Sequence, residues 1–223
     1  MKHIERLKKV VNLAVKIGWL EKSPFELYKL CFKKYDRQFL NDVELKAIEE
    51  CTLHNQTLNL TRDLFVFSCY TGLAPIDLSK VSPENIITGI DGELWLHTER
   101  AKTKTIVNVP LLPQAIKLIE KYHHNPVALR RGRLFPMLTN QEINRCLKII
   151  AGICHIEKYL TFYLSRHTFA TTVTLNNGVP LETVSKMMGH MKFSTTQIYA
   201  RILNKKIGED MALLKKRLAS NLD

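Results

Sequence analysis

Hydrophobic positions at helical spacing dominate the chain. In residues 4–17 they recur every three or four positions, and the run ends at Gly18 and Trp19. Asn41 and Glu44 have the arrangement of a capping box, and Pro75 suits the first turn of a short helix. The pattern predicts helices over residues 4–17, 41–51, 58–70, 113–122, 141–152, 162–175 (ended by Gly178), 181–188 and 206–219, with a turn around 195–199.

Between these helices the pattern changes to alternation of hydrophobic and polar positions. The alternating stretches predict strands at residues 85–88, 93–98 and 105–109, with a turn at Asp91 and Gly92 between the first two. The sequence therefore predicts a mainly α fold with a small three-stranded antiparallel sheet, of the α+β class.

The first helix is set apart from the rest of the chain. One amphipathic helix cannot bury its own apolar stripe, and only the Lys-rich segment 29–37 joins it to the later helices. We therefore expect residues 1–36 to be the end of a helical domain plus a linker, with its earlier part outside this sequence. Residues 37–223 are expected to form the main domain.

Composition excludes several classes of protein. The chain has 223 residues, 45% of them hydrophobic, which suits one good core and neither a disordered nor a collagen-like chain. No apolar run is long enough to cross a bilayer, and the charged N-terminus lacks the features of a secretory signal, so we expect a soluble, cytoplasmic protein. The five cysteines form no C-x-x-C pair and are expected to be buried hydrophobes. The histidines have no metal-ligand spacing, and no metal or other cofactor is expected.

The charge is large and unevenly distributed. The formal net charge is +12, and an acidic block over residues 39–99 lies between basic segments, of which 100–133 is the most basic. This distribution indicates a basic face, whose usual partner is a phosphate backbone. Basic proteins whose lysines are merely solvated have similar net charges. Charge alone therefore leaves two interpretations, a nucleic-acid-binding face and a solvated basic surface.

Five separate segments carry the candidate chemistry. The stretch 162–171 reads FYLSRHTFAT, Met188-Gly189-His190 comes after it, and Tyr199 lies nine residues after His190. This set resembles the tyrosine recombinases, the phage-integrase family, whose pattern is H-x-x-R-H, then L-G-H, then a tyrosine nine residues on. Residues 71–78, TGLAPIDL, resemble that family's first box, T-G-L-R-x-x-E-L, and Lys102 resembles its hairpin lysine.

The resemblance implies a fold, a reaction and a partner. Residues 37–223 would have the tyrosine recombinase catalytic-domain fold, and residues 1–36 would be the end of the family's core-binding domain. The implied activity is site-specific recombination of double-stranded DNA, as in integrases of mobile elements, through a 3′-phosphotyrosyl intermediate without metal or ATP. The apolar stripe Ile207, Met211, Leu214 and Leu218 would pack on a neighbouring protomer and support a homotetramer on DNA.

The resemblance also implies roles for individual residues. Tyr199 would be the nucleophile, and Arg166 and His190 would hold the non-bridging phosphate oxygens. Lys102, at a hairpin tip, would protonate the leaving 5′ oxygen. Lys104 and His167 are candidate DNA contacts, although Lys104 also suits a solvated position and His167 a buttress of its helix.

Two positions depart from the family's pattern. Ala74 stands where the first box has Arg, and Tyr163 stands where the second box begins with His. We expect Arg100 to replace the missing arginine, because it lies two residues before Lys102 at the end of a strand, where alternation points both side chains to one face. Tyr163 is itself a candidate catalytic residue, because its phenol can still hydrogen-bond to a phosphate oxygen or to Tyr199. Since a tyrosine is a poor proton acceptor near neutrality, we expect Tyr199 to lose its proton to water or to His190.

The departures leave alternatives open. One is a catalytically impaired DNA-binding regulator of the same fold, and another is a metal-free nuclease or topoisomerase-like enzyme that rejoins strands without exchanging partners. A subgroup of integrases from conjugative and mobilisable transposons also lacks the first-box arginine and is active. The sequence resembles that subgroup most, which favours the recombinase.

Overall fold

The computed structural model describes residues 2–29, 31, 38–200, 208, 211–212 and 214–215. The chain divides into two compact units, Met1–Arg37 and Gln38–Asp223. The first unit contains α1 (Lys2–Lys16), in which no residue is buried. The predicted helix at 206–219 falls largely outside the described residues. Of its predicted apolar stripe, Met211 and Leu214 are described, and both are exposed.

The second unit is mostly helical, as predicted. Asn41 and Glu44 form the expected capping box at the start of its first helix. The region 162–175 differs from expectation because its helix is split, and the region 113–133 contains an additional short helix. The helices are α2 (Asp42–Glu50), α3 (Gln56–Thr71), α4 (Pro75–Leu78), α5 (Pro113–Tyr122), α6 (Pro126–Arg130), α7 (Asn140–Ile153), α8 (Phe162–Thr168), α9 (Leu181–Met187) and α10 (Gln197–Ala200).

The predicted sheet is present in the predicted topology. Its strands are β1 (Ile86–Thr88), β2 (Leu94–Glu99) and β3 (Ile106–Pro110), ordered β1-β2-β3 and antiparallel throughout. In register, Leu96 of β2 pairs with Ile86 on one side and with Val109 on the other. The fold class, mainly α with a small three-stranded antiparallel sheet, is therefore confirmed.

The core is built around α3. This helix is buried along most of its length and packs against α5, α7 and α8. Phe65 of α3 meets Phe162 of α8 edge to face, with ring centroids 6.1 Å apart. On the other side Phe67 meets Phe135 at 4.7 Å. The contact of Phe65 with Phe162 fixes α8, which carries the main candidate residues, against the central helix of the domain.

The helix that begins at Phe162 changes its winding after Thr168. Residues Phe169–Thr174 form a π-helix, and a 3-10 turn comes next before Gly178, whose φ is +85°. The hydroxyl of Thr174 donates to the carbonyls of both Phe169 and Ala170, each at 2.9 Å. Threonine hydroxyls that bond to preceding carbonyls compete with the regular α ladder. The continuous α-helix predicted over 162–175 is thus wrong in its second half.

The cysteines are only partly as expected. Cys69 and Cys146 are buried, but Cys51 and Cys154 are half-buried, and Cys31 is exposed. No helix in the described parts of the chain is long and apolar enough to cross a membrane. Among the same residues, no group of three or more His, Cys, Asp or Glu side chains is arranged to hold a metal ion.

Candidate active site

Helix α8 presents Tyr163, Arg166 and His167 within one turn of each other. Thr161 makes no capping bond with its side chain, and the first backbone N–H of the helix, at Phe162, donates instead to Asn144 Oδ1 of α7 at 2.8 Å. Helical spacing of three and four residues then places the three candidate side chains on neighbouring positions. Packing and this capping bond therefore fix the element that carries them.

Arg166 is almost completely buried, with 2% of its surface exposed. Its Nη1 donates to the Gly72 carbonyl and its Nη2 to the Met188 carbonyl. Nη2 also lies 3.4 Å from Nε2 of His190. Burial, followed by the positive charge of Arg100, lowers the pKa of Arg166 to about 10, while Tyr163, Tyr199 and Asp77 oppose the shift. The guanidinium remains charged near neutrality.

Arg100 converges on the same carbonyl. Its Nη1 donates to Met188 O at 2.9 Å, and its Nε donates to Asp77 Oδ2 at 3.3 Å. The other oxygen of Asp77 accepts from the backbone N–H of Ala101 at 2.8 Å, so the carboxylate fixes both the side chain and the start of the hairpin turn. The fully buried Asp77 is a residue whose role the sequence reasoning missed, although it lies inside the first box.

Arg100 lies on the same side as Lys102, as predicted, but strand alternation is not what places it there. Strand β2 ends at Glu99, and Arg100 closes the turn by donating its N–H to Thr105 O at 2.9 Å. Strand alternation therefore does not set its direction. The direction of the Arg100 side chain is set by the Asp77 carboxylate and the Met188 carbonyl. Arg100 still lines the same cleft as Lys102.

Gly189 makes the close approach of Arg100 possible. Its φ is +59°, and a Cβ added there would lie 2.7 Å from both Arg100 Cδ and Val107 Cγ2. Only glycine combines this left-handed backbone with such a close neighbour. The glycine of the Met188-Gly189-His190 motif thus serves the packing of an arginine that is distant in sequence.

His190 is held on its second ring nitrogen by a hydroxyl. Its Nδ1 lies 2.7 Å from Thr196 Oγ1, and that hydroxyl donates to Ser185 Oγ at 2.9 Å. Thr196 is fully buried and Ser185 nearly so. Sequence reasoning missed both residues, because a threonine or serine between motifs has no distinctive signal.

Tyr199 is buried beside His167. Its hydroxyl lies 2.7 Å from His167 Nδ1, and Tyr199 and His167 are 2% and 7% exposed. Tyr163 packs its ring edge to face on His167 with centroids 5.0 Å apart, and is itself 51% exposed. His167, expected as a DNA contact or a helix buttress, therefore contacts the candidate nucleophile.

A cleft of about 750 Å³ opens next to these groups. Four of the predicted site residues line it, namely Arg100, Lys102, Tyr163 and His190. Ala74, at the position of the family's first-box arginine, lines the same cleft and provides no charge. The opening therefore has cationic and imidazole donors on a wall that also bears apolar side chains.

The two hairpin lysines differ in their surroundings. Lys102 is exposed and lines the cleft. Lys104 has a φ of +57° and forms an exposed ion pair with Glu99 at 3.0 Å. Because exposed ion pairs contribute little free energy, this pair leaves Lys104 able to exchange Glu99 for another anion.

Comparisons with known proteins give the family context. The model of the phage integrase family matches residues 39–206. The chain is 34% identical over 91 residues to tyrosine recombinase XerC of Listeria monocytogenes serovar 1/2a, a match that covers 41% of this chain and 30% of that protein. It is 36% identical over 106 residues to tyrosine recombinase XerD of Lacticaseibacillus casei, covering 43% and 36%. The matched segments thus span about a third of each curated relative.

Solved structures share the fold at low sequence identity. A structure of the Tn1549 transposon integrase in complex with a circular intermediate DNA has a TM-score of 0.65 and 16% identity, covering 86% of this chain and 71% of that chain. A lambda integrase dimer bound to a COC′ core site has a TM-score of 0.66 and 15% identity, covering 86% and 56%.

Proposed function

Because the chain belongs to the phage integrase family, we propose that it is a site-specific DNA recombinase that cuts and rejoins double-stranded DNA through Tyr199. In the cleavage step the Tyr199 oxygen attacks phosphorus, the O–P bond forms and the P–O5′ bond breaks. The phenolic proton passes to a base and the leaving oxygen gains a proton from an acid. The product retains a phosphodiester, so religation to another strand needs no nucleotide.

The single observation that carries this proposal is the convergence of Arg100, Arg166 and His190. Arg100 and Arg166 both donate to Met188 O, and Arg166 lies 3.4 Å from His190 Nε2. Such an array suits a phosphate whose non-bridging oxygens gain charge as the phosphorus becomes five-coordinate. Arg100 supplies the guanidinium that Ala74 lacks, and its planar fork matches two phosphate oxygens.

The contact between Tyr199 and His167 supports a specific proton path. His167 Nδ1, 2.7 Å from the hydroxyl, is placed to accept the proton as Tyr199 becomes a nucleophile. We propose this acceptor in place of the water or His190 expected from the sequence. Tyr163 packs edge to face on the same imidazole, with ring centroids 5.0 Å apart.

Lys102 is proposed as the acid for the leaving 5′ oxygen. It lies in the turn between β2 and β3 and lines the cleft together with His190. The arginines hold the non-bridging oxygens and leave the bridging oxygen without a donor. The lysine ammonium, on its flexible four-carbon chain, can reach that bridging oxygen. Lys104 is proposed as a backbone-phosphate contact of the same hairpin.

The partner and the assembly belong to the same proposal. The net charge of +12 and the exposed hairpin lysines suit duplex DNA. We propose that residues 37–223 form the catalytic domain and residues 1–36 the last helix and linker of a core-binding domain, in line with the exposed apolar positions Leu7 and Val10 of α1. The helix predicted over residues 206–219 is proposed to link protomers into a homotetramer on DNA. Deletion of residues 205–223 should then lower recombination more than binding to a single site.

The decisive experiment is to trap the protein on a nicked suicide substrate. Wild-type protein should give a covalent adduct that migrates with the DNA after denaturation. Tyr199→Phe removes only the hydroxyl, so it should bind DNA and form no adduct. Tyr159→Phe, at an exposed tyrosine outside the site, is the matched control and should form the adduct normally. An adduct that persists in Tyr199→Phe would refute the assignment of the nucleophile.

A second candidate function is a catalytically impaired DNA-binding regulator. The observations that favour it are the aliphatic Ala74 and the phenol of Tyr163 at positions where the family has Arg and His. Specific DNA binding without any adduct from wild-type protein would support this candidate.

A further inference from the structure

His190 is bonded at both ring nitrogens, and the contact at Nε2 identifies one tautomer. Nε2 lies 3.4 Å from Arg166 Nη2. A guanidinium only donates hydrogen bonds, so Nε2 acts as the acceptor in this contact. This contact therefore favours the neutral ring that carries its proton on Nδ1.

The contact at Nδ1 gives the same answer independently. Thr196 has one hydroxyl hydrogen, which it donates to Ser185 Oγ at 2.9 Å. Its oxygen therefore faces His190 Nδ1, at 2.7 Å, with a lone pair and accepts from Nδ1–H. Two contacts on opposite sides of the ring thus agree on the Nδ1–H tautomer.

The backbone ties this hydrogen-bond relay, from His190 through Thr196 to Ser185, to the nucleophile. The carbonyl of Ser185 in α9 accepts the backbone N–H of His190 at 3.1 Å. The carbonyl of Thr196 accepts the backbone N–H of Tyr199 at 2.9 Å. Because Thr196 is fully buried, water does not compete for its hydroxyl.

We propose that Thr196 and Ser185 are positioning residues that hold the proton of His190 on Nδ1 and direct Nε2 to the reacting phosphate. The proposal rests on the proposed function for its catalytic consequence. The tautomer and orientation of a histidine are set by the hydrogen bond at its other nitrogen. With Nδ1 committed to Thr196, Nε2 is the nitrogen that gains and loses a proton. It accepts from Arg166 when neutral and donates to a non-bridging oxygen when charged.

The first experiment measures the tautomer in the full chain without DNA. Protein labelled with ¹⁵N-histidine is compared with His190→Gln to assign the ring signals of His190. At a pH where the ring is neutral, Nδ1 should show the shift of a protonated nitrogen and Nε2 that of an unprotonated one. Thr196→Val keeps the shape and removes the hydroxyl, so both shifts should move toward a tautomer mixture. Thr196→Ser should restore the wild-type shifts, and the exposed Ser194→Ala is the matched control.

The second experiment measures cleavage of a suicide substrate by DNA-bound protein. Thr196→Val should cleave roughly 10- to 100-fold more slowly, by analogy with the loss of a partner that orients a metal-bound histidine. Its DNA affinity should be unchanged, and Thr196→Ser should cleave nearly as fast as wild type. Ser185→Ala leaves the Thr196 hydroxyl free to donate to Nδ1, so it should give a mixture of His190 tautomers. The substitution removes a single oxygen atom and creates only a small cavity. This variant also tests the relay if Thr196→Val does not fold.

The outcomes separate the two proposals. Wild-type shifts of His190 in both Thr196→Val and Ser185→Ala would overturn the positioning role, whatever the cleavage rates. If Ser185→Ala alone can be measured, its unchanged tautomer is sufficient to overturn the relay. If the shifts change as expected but wild-type protein never forms an adduct, the proposed function fails and the assignment of His190 stands.

Discussion

Arg100 and Arg166 donate to the same acceptor, the carbonyl oxygen of Met188, from segments of the chain that are 66 positions apart. Two guanidinium groups repel one another, and the pKa of Arg166 is lowered first by burial and then by the charge of Arg100. The shared carbonyl and the carboxylate of Asp77 offset this repulsion. The arrangement leaves two cations side by side next to the cleft, where an anionic phosphate would relieve the remaining repulsion.

We expect Arg100→Ala to lower the cleavage rate of bound complexes roughly 100- to 1,000-fold, the usual cost of removing one preorganised donor. Affinity for DNA should change little, because the Arg100 side chain is mostly buried. The exposed Lys104→Ala should do the opposite and weaken affinity while sparing the rate. Single-turnover cleavage and a binding titration separate the two parameters. Ala74→Arg, added to Arg100→Ala, should restore part of the activity. A rate unchanged in Arg100→Ala would rule out the replacement of the first-box arginine.

Gly189→Ala should both destabilise the domain and displace Arg100. The left-handed backbone costs about 1–2 kcal/mol for a residue with a Cβ. The new methyl group would also meet Arg100 Cδ and Val107 Cγ2 at 2.7 Å. Gly132 is a matched control, because it has the same φ of +59° and nothing within 4 Å of its added Cβ. Urea unfolding should show a larger loss for Gly189→Ala than for Gly132→Ala, and only the former should slow cleavage. Equal losses would contradict a packing role for Gly189.

His167→Gln should lower cleavage roughly 100- to 10,000-fold if His167 accepts the proton of Tyr199. In wild type the rate should rise with pH, because only an unprotonated imidazole can accept the proton of Tyr199. The rise attributable to His167 should be absent from the pH profile of His167→Gln. A profile that keeps its shape in this variant would place the base elsewhere.

Tyr163→His should speed cleavage, because an imidazole at the mouth of the cleft adds a proton acceptor next to His167. Tyr163→Phe keeps the ring that packs on His167 and removes only the hydroxyl, so it should behave like wild type. The two variants are compared by single-turnover rates at saturating protein. Loss of activity in Tyr163→His would show that Tyr163 has a role of its own.

Binding to duplex DNA should weaken steeply with salt. Each phosphate that the protein neutralises contributes about −0.9 to the slope of log affinity against log salt concentration. Lys104→Ala should reduce this slope by about one unit if that side chain contacts a phosphate. A nearly flat salt dependence of wild-type affinity would argue against a basic surface that tracks the DNA backbone.

The sequence by itself determined most of the described helices and strands to within a few residues, the fold class, and the choice of Arg166, His190 and Tyr199 as candidates. These features follow from hydrophobic spacing, capping residues and the distances between motifs. Tertiary packing did not change most of the secondary structure that these local signals predict. The sequence did not predict the π-helix after Thr168, because its winding depends on which carbonyl each threonine hydroxyl bonds to.

Only the tertiary structure decided how the site is held together. The acceptor shared by Arg100 and Arg166 is a backbone carbonyl, a group that every residue has and that no sequence pattern marks. The contact of His167 with Tyr199 and the bond between Thr196 and His190 likewise depend on how α8, α9 and the turn before Tyr199 pack. The contacts between these side chains form only when the three elements converge. They are therefore set by the packing of the whole core and not by neighbouring residues in the sequence.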